Sequence, residues 1–495
     1  MRSGVAIAAV TALAAALRIA GLDAKGFWED EATSIALLRM DFFEMLSALP
    51  ESERTPPLYY LLAWPWTQLF GHGEVGIRSL SVLIGTATVP VSYLAARELV
   101  SRRAGTVVAV LVAVNPILVW YSQEGRAYAL LVLTAAAALL FFVRALRDPE
   151  SKWLGLWALS SVLAIASHYF AAFLFLAEAA WLLAARGYSL RLAIAVGVPV
   201  AAGLVLSPLA IAQADTHAGI DWIPAISLAQ RAVETPGFFV VGFEVSYPLA
   251  VGLAALAAGL AAAGLVLLLR RADEAEKRGA LTAGSVAAAG LVLPLALAVA
   301  GIDFFVYKNL LGTLVPFAIV IGAGLGAARA GSLGIALTAG LALLSIGIVA
   351  STASDPKYQR ESWREAAEAL GVPKEDRAIV ATPGAPGREP LLHAYLRQAR
   401  ELETGRALVG EIDVLALPRR RLGAIANPEL PDLERPVRPP APGYELVDSR
   451  RTGEFLLLRY RAPTPRWLSH DQLASAAADP GVQPVVLVES GRPIG

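Results

Sequence analysis

The chain contains no cysteine, which excludes disulfides, thiol nucleophiles and cysteine-ligated metals. Charge is scarce as well: Asp, Glu, Lys and Arg make up 17% of the residues, against about a quarter in ordinary soluble domains. What charge there is cancels, 42 basic residues against 42 acidic ones. No global field therefore points to a nucleic-acid partner, and any electrostatic role must come from local placement. The polar C-terminal tail holds no glycine-rich phosphate-cradling motif, so a soluble nucleotide-bound substrate has no visible site there. No convincing internal repeat is present either, which counts against a secondary transporter built from paired halves.

Apolar residues fill the space. They account for 56% of the 495 residues, and the mean hydropathy is +0.56, so lipid is the solvent for most of the chain. A bilayer core requires roughly 20 apolar residues per helix. Runs of that length recur from Val5 to Ala350 and predict about eleven spanning helices, at about 4–22, 78–98, 104–121, 126–146, 153–168, 169–186, 189–212, 246–270, 280–301, 306–328 and 332–350. The first run imitates the apolar core of a secretory signal, but Arg18 within it and the many spans behind it favour a membrane helix. The expected fold is thus a mostly α, polytopic membrane bundle over 1–350, with a long first outer loop at 23–77, followed by a small soluble α/β domain over 351–495. In that tail, a helix is expected at Ser362 to Leu370 and strands at Ala378 to Ala381, Phe455 to Tyr460 and Pro484 to Glu489. The proline-rich stretch Pro428 to Gly443 reads as a long irregular loop.

Basic loops are retained on the cytoplasmic side of a membrane. Alternate loops carry Arg97, Arg102 and Arg103; Arg144, Arg147 and Lys152; Arg186 and Arg191; and Arg270, Arg271, Lys277 and Arg278. The first intervening loop is acidic, with Glu29, Asp30, Glu31, Glu51 and Glu53 among its residues. This alternation predicts a multi-pass cell-membrane protein with a cytoplasmic N-terminus and an extracytoplasmic C-terminal domain.

The candidate chemistry gathers on the outer side. Three successive carboxylates, Glu29, Asp30 and Glu31, follow Phe27-Trp28; such charge is usually solvated, yet it has company along the same edge. The short connection at Trp120 to Tyr128 places Tyr121, Glu124, Arg126 and Tyr128 at the bilayer interface, where Glu124 and Arg126 either pair with each other or mark a site. Arg18, Arg78, Arg126 and Lys308 violate the positive-inside trend. Singly each can snorkel to headgroups; together they suit a phosphate. His168 lies at another outer helix end, where a lone histidine is more often a hydrogen-bonding structural residue than a ligand. Pro56-Pro57-Leu58-Tyr59-Tyr60, leading to Trp64 and Trp66, reads as an interfacial helix started by proline.

Taken in order, Trp28-Glu29-Asp30-Glu31, Thr55-Pro56-Pro57-Leu58-Tyr59-Tyr60, Gly76-Ile77-Arg78-Ser79-Leu80, Tyr121-Ser122-Gln123-Glu124 with Arg126 and Tyr128, and His168-Tyr169 resemble the membrane-embedded GT-C glycosyltransferases. The resemblance is to the family 39 branch of protein mannosyltransferases and aminoarabinose transferases, and it covers roughly the first 185 residues. Tyr307-Lys308-Asn309 stands where many relatives carry an arginine-tyrosine pair. The resemblance implies transfer of one sugar from a polyprenyl-monophosphate donor to a hydroxyl of a protein, lipid or glycan acceptor, with inversion. It also implies that Asp30 is the catalytic carboxylate, with Glu31 beside it. Physically, the phosphate is already a good leaving group. The site needs a base and cations, here Arg78, Arg126 and Lys308. No cofactor is required, although a divalent ion held by Glu124, with His168 as a further ligand, would do the cations' work. Against the enzyme stand a transporter and a non-enzymatic receptor or scaffold; the latter leaves the acidic triplet without a task.

Overall fold

The structure, a computed structural model, describes residues 2–148, 151–215, 223, 226–242, 247–354, 363–381, 392–396, 398–416, 440–452, 455–476 and 484–491. The stretch Pro428 to Gly443 lies largely outside the described residues. The chain falls into two compact units: one from the described residues of 1–23, 37–217 and 221–358, the other from those of 24–36 and 359–495.

The first unit is helical. Its elements are α1 (Arg2–Ile19), the end of α2 (Glu29–Leu38), α3 (Phe42–Ser52), α4 (Leu58–Phe70), α5 (Glu74–Leu99), α6 (Arg102–Val114), α7 (Pro116–Ser122), α8 (Tyr128–Arg147), α9 (Ser151–Ser167), α10 (Ala171–Arg186) and α11 (Leu190–Asp215). After them come α12 (Leu228–Val241), α13 (Tyr247–Arg271), α14 (Glu274–Val299), a 3-10 turn (Tyr307–Thr313), α15 (Leu314–Leu325) and α16 (Gly331–Ser354). Every expected span thus has a helical counterpart. By length and apolar composition, however, seven helices among the described residues qualify as membrane-crossing, or eight if the bent pair α6–α7 is one broken span. The count of eleven is not reached because helices such as α10, with 16 residues, are about 24 Å long, short of the roughly 30 Å hydrocarbon core.

The expected single helix at 104–121 is broken at Asn115, where the chain bends by 57°. The cause is local. Pro116 at the first helical position has no N–H to continue the α6 ladder, and Asn115 caps α7 by accepting from the Leu118 N–H at 3.1 Å. The Asn115 amide also donates to the Phe239 carbonyl at 2.9 Å, tying the bend to α12.

Small residues let helices approach. A Cβ on Gly324 would stand 1.9 Å from the Gly264 carbonyl oxygen, so α13 and α15 touch backbone to backbone. The core runs through α5 to α10, with Trp157 and Phe142 wholly buried. Two polar pairs join helices within it: Trp157 Nε1 donates to Glu178 Oε2 at 2.8 Å, and Arg144 forks onto Glu98 between α8 and α5.

The second unit is α/β. A six-stranded sheet has the order β2-β6-β1-β3-β5-β4, from β1 (Arg377–Ala381), β2 (Arg400–Glu401), β3 (Arg406–Ala416), β4 (Glu445–Thr452), β5 (Phe455–Ser469) and β6 (Val485–Glu489). Only the β1–β3 pairing is parallel among the described strands. Helix α17 (Trp363–Leu370) packs on the sheet, and the short α18 (His470–Ala474) follows β5. The expected helix and strands are present, while β2, β3 and β4 went unforeseen. Strand β3 hides its periodicity: Glu411 and Asp413 are buried in an ion network with Arg377, Arg459 and Arg461.

Candidate active site

The acidic motif opens α2. Glu29 begins the helix, Asp30 is half-buried, Glu31 is buried, and Ser34 Oγ donates to the Asp30 carbonyl at 3.0 Å. Asp30 and Glu31 belong to the second unit. The remaining candidates belong to the first.

In the first unit, the loop between α3 and α4 is organised by a carboxylate that the sequence did not single out. Glu53 is 2% exposed, and its carboxylate receives both terminal nitrogens of Arg126, with Nη2 to Oε2 at 3.0 Å. Tyr60 donates its hydroxyl to Glu53 Oε1 and accepts from Arg126 Nη1 at 3.1 Å, while Thr55 Oγ1 reaches Oε2 at 3.3 Å. The Pro56-Pro57 pair sets this up by ending the loop and starting α4, which delivers Tyr59 and Tyr60 in edge-to-face contact at 5.5 Å. From α11, the Gln213 amide donates to the Thr55 carbonyl at 3.1 Å and accepts from the Tyr169 hydroxyl at 2.9 Å. The Arg126 guanidinium is thus committed to a resident carboxylate.

Around this pair stand several of the other expected residues. Tyr121 and Tyr128 have ring centroids 4.6 Å apart, and Tyr128 lies 6.3 Å from the His168 ring. His168 is buried; its Nδ1 accepts from the Phe170 N–H at 3.3 Å, and its side chain is hydrogen-bonded to Asn309, within electrostatic reach of Lys308 and Arg126. An amide N–H can only donate, so Nδ1 is the unprotonated nitrogen. The ring is thus held at the end of α9 by the Phe170 N–H and joined to the 3-10 turn through Asn309. Among the described residues no three His, Asp or Glu side chains gather in a geometry that could hold a metal ion.

Lys308 sits half-buried in that turn rather than in a regular helix. The turn is fixed from α12: Arg231 forks onto Asp303, with Nη1 to Oδ1 at 2.9 Å, and also donates to the Phe305 carbonyl. The guanidinium holds the Asp303 carboxyl below the usual carboxylate range. Tyr307 stacks on Phe238 at 4.3 Å, and Asn309 Nδ2 donates to the Phe304 carbonyl at 2.9 Å.

Arg78 and Arg18 serve the first helix. Arg78, 3% exposed, donates to the Leu22 carbonyl at 3.0 Å, and Gln123 Nε2 reaches the Arg18 and Ala20 carbonyls at 3.1 and 2.8 Å. Both satisfy carbonyls where α1 ends. Arg18 is wholly buried against the α6–α7 bend, donating to Ala113 O at 2.8 Å and Ser122 Oγ at 3.1 Å. It does not snorkel. Glu124 is buried at 4% exposure beside these residues in sequence.

Of the expected set, the structure gathers Tyr121, Tyr128, His168, Lys308 and Arg126, and adds Glu53, Tyr60, Gln213, Asn309, Arg231 and Asp303. One signal pointed towards Glu53: it lies two residues before the Thr55-Pro56-Pro57 motif.

Residues 54–211 match the family described as dolichyl-phosphate-mannose-protein mannosyltransferase. ArnT from Cupriavidus metallidurans in the apo state superposes with a TM-score of 0.55 at 13% identity, covering 97% of this chain and 100% of that one. The same protein bound to undecaprenyl phosphate gives 0.56 at 15% identity, covering 96% and 99%. Curated proteins give no sequence match. At such identities the likeness to ArnT is one of fold, and it extends over both units. The chain is a multi-pass membrane protein with the GT-C fold seen in ArnT, and its residues 54–211 are similar to the mannosyltransferase family.

Proposed function

We propose that this protein is a glycosyltransferase that moves one sugar from a polyprenyl-monophosphate donor to an acceptor hydroxyl on the extracytoplasmic face, with inversion at the sugar carbon. The observation that carries the reading is coincidence of site and family: the 54–211 match spans Tyr60, Arg78, Tyr121, Glu124, Arg126, Tyr128 and His168. ArnT in its second structure is bound to undecaprenyl phosphate, which supports a lipid phosphate as the donor's carrier.

In the proposed reaction, the acceptor oxygen attacks the sugar carbon from the side opposite the phosphate. The new C–O bond forms as the bond to the phosphate oxygen breaks, and the hydroxyl proton passes to Asp30, with Glu31 beside it. The polyprenyl phosphate leaves with the bonding pair. Arg78 and Lys308 stabilise its charge, and Arg126 contributes when its pair with Glu53 opens to the phosphate. Tyr121, Tyr128 and His168 shape the wall, with Glu124 in support. The apolar surfaces between helices suit an isoprenoid chain, and the acceptor is a protein, lipid or glycan hydroxyl.

The test uses purified protein and a panel of radiolabelled polyprenyl-phosphate sugars. Asp30→Asn should lower transfer by about 100-fold or more, the range of a lost general base. Arg78→Ala should raise the donor KM. Transfer by Asp30→Asn at the wild-type rate would remove Asp30 from the chemistry.

A further inference from the structure

The acidic triplet Glu29–Glu31 is gripped on both sides by the domain formed from the C-terminal tail. Immediately before it, the Phe27 N–H donates to the Tyr395 hydroxyl, and the two rings lie 5.7 Å apart. Gly26 permits this approach: a Cβ there would stand 3.1 Å from the Tyr395 hydroxyl and 3.2 Å from the Arg364 backbone nitrogen. Arg364 Nη2 reaches the Ala24 carbonyl at 3.3 Å. Immediately after the triplet, Ala32 is 1% exposed and belongs to the apolar core of Trp363, Leu370, Phe455 and Leu457. Residues 24–36 and the tail form one compact unit, although Phe27 and Tyr395 are 368 positions apart in sequence.

We infer that the tail domain sets the position of the Asp30 and Glu31 carboxylates, with Tyr395 as the positioning residue at the start of α2. The residues from Gly26 to Trp28 are irregular backbone, and the helix begins where the Ala32 N–H donates to the Trp28 carbonyl at 2.8 Å. The bond from Phe27 to Tyr395 and the burial of Ala32 supply two fixed points, five residues apart, with the carboxylates between them. Misplacing a reacting group by about 1 Å costs on the order of 100-fold in rate. Loosening one fixed point should therefore slow the chemical step without weakening donor binding. This inference rests on the proposed function for its catalytic consequence, and on the geometry alone for the anchoring.

The experiment compares full-length wild type, Tyr395→Phe and Tyr444→Phe in lipid nanodiscs by hydrogen–deuterium exchange and by steady-state transfer kinetics. Tyr395→Phe keeps the ring and removes the hydroxyl acceptor. Tyr444, whose hydroxyl donates to the Val409 carbonyl at 2.6 Å inside the same domain, controls for general loosening. Tyr395→Phe should speed exchange in the peptide covering 24–36 by several-fold, up to about tenfold, and lower kcat by about tenfold or more with the donor KM unchanged. Tyr444→Phe should leave exchange in that peptide as in wild type. Unchanged exchange in Tyr395→Phe overturns the anchoring, and faster exchange with unchanged kcat overturns the coupling to catalysis. Full activity in Asp30→Asn would instead sink the proposed function, leaving the exchange result to stand by itself.

Discussion

A buried arginine reads differently once its partner is known. In the sequence, Arg126 is a cation at a membrane interface and a natural phosphate ligand. In the structure it is forked onto Glu53 with side-chain exposures of 9% and 2%. Removing one member of such a pair leaves the other charge buried without compensation, which typically costs about 3–5 kcal/mol. Glu53→Gln and Arg126→Met should each lower stability by about that amount, read by denaturant or thermal unfolding in detergent. The double replacement Glu53→Leu with Arg126→Met should recover much of the loss, because a matched apolar pair carries no desolvation penalty. Single variants within about 1 kcal/mol of wild type would show that the pair is not what holds the loop. Glu53 escaped notice in the sequence because acidic loop residues are usually solvated, and burial is invisible without tertiary structure. His168 shows the converse. It stands alone in the sequence, whereas in the structure its ring is hydrogen-bonded to the Phe170 N–H and to the Asn309 side chain.

Elements were legible where one solvent acts on a whole segment, and obscure where a few side chains override it. Apolar runs located the helices because lipid imposes the same demand along each of them. The break at Asn115 went unread inside the run at 104–121, since apolar residues continue through it on both sides. Its signal was the Asn-Pro dipeptide, a known starter of turns and helices. Asn115→Ala should remove both the cap on α7 and the link to Phe239, at a cost of about 1–2 kcal/mol. Thermal unfolding measures it, and an unchanged midpoint would mean that Pro116 alone maintains the bend. In the tail, β1, β5 and β6 showed through as apolar stretches. Strand β3 did not, because its inward-facing Glu411 and Asp413 are satisfied by arginines from neighbouring strands, a compensation that periodicity cannot reveal.

At the scale of the whole molecule, the alternation of basic loops predicts the orientation, and the absence of cysteine makes that prediction easy to check. A single cysteine placed at Ser449, exposed on β4, should react with a membrane-impermeant maleimide in intact cells, whereas one at Lys277, at the start of α14, should react only after permeabilisation. The opposite pattern would invert the topology and move the proposed transfer to the cytoplasmic face. What the sequence alone could not convey is the partition of the chain. A boundary near residue 350 follows from composition, whereas the inclusion of residues 24–36 with the tail follows from contacts made across most of the chain's length.

That partition also orders events during synthesis. At about 5–20 residues per second, the ribosome makes Phe27 about 20–70 s before Tyr395, given the 368 positions between them. Throughout that interval the acidic segment has left the ribosome without its anchor. A nascent chain that ends between α16 and the tail would carry every described helix of the bundle and still lack a seated carboxylate, so activity would arise only once the tail is made.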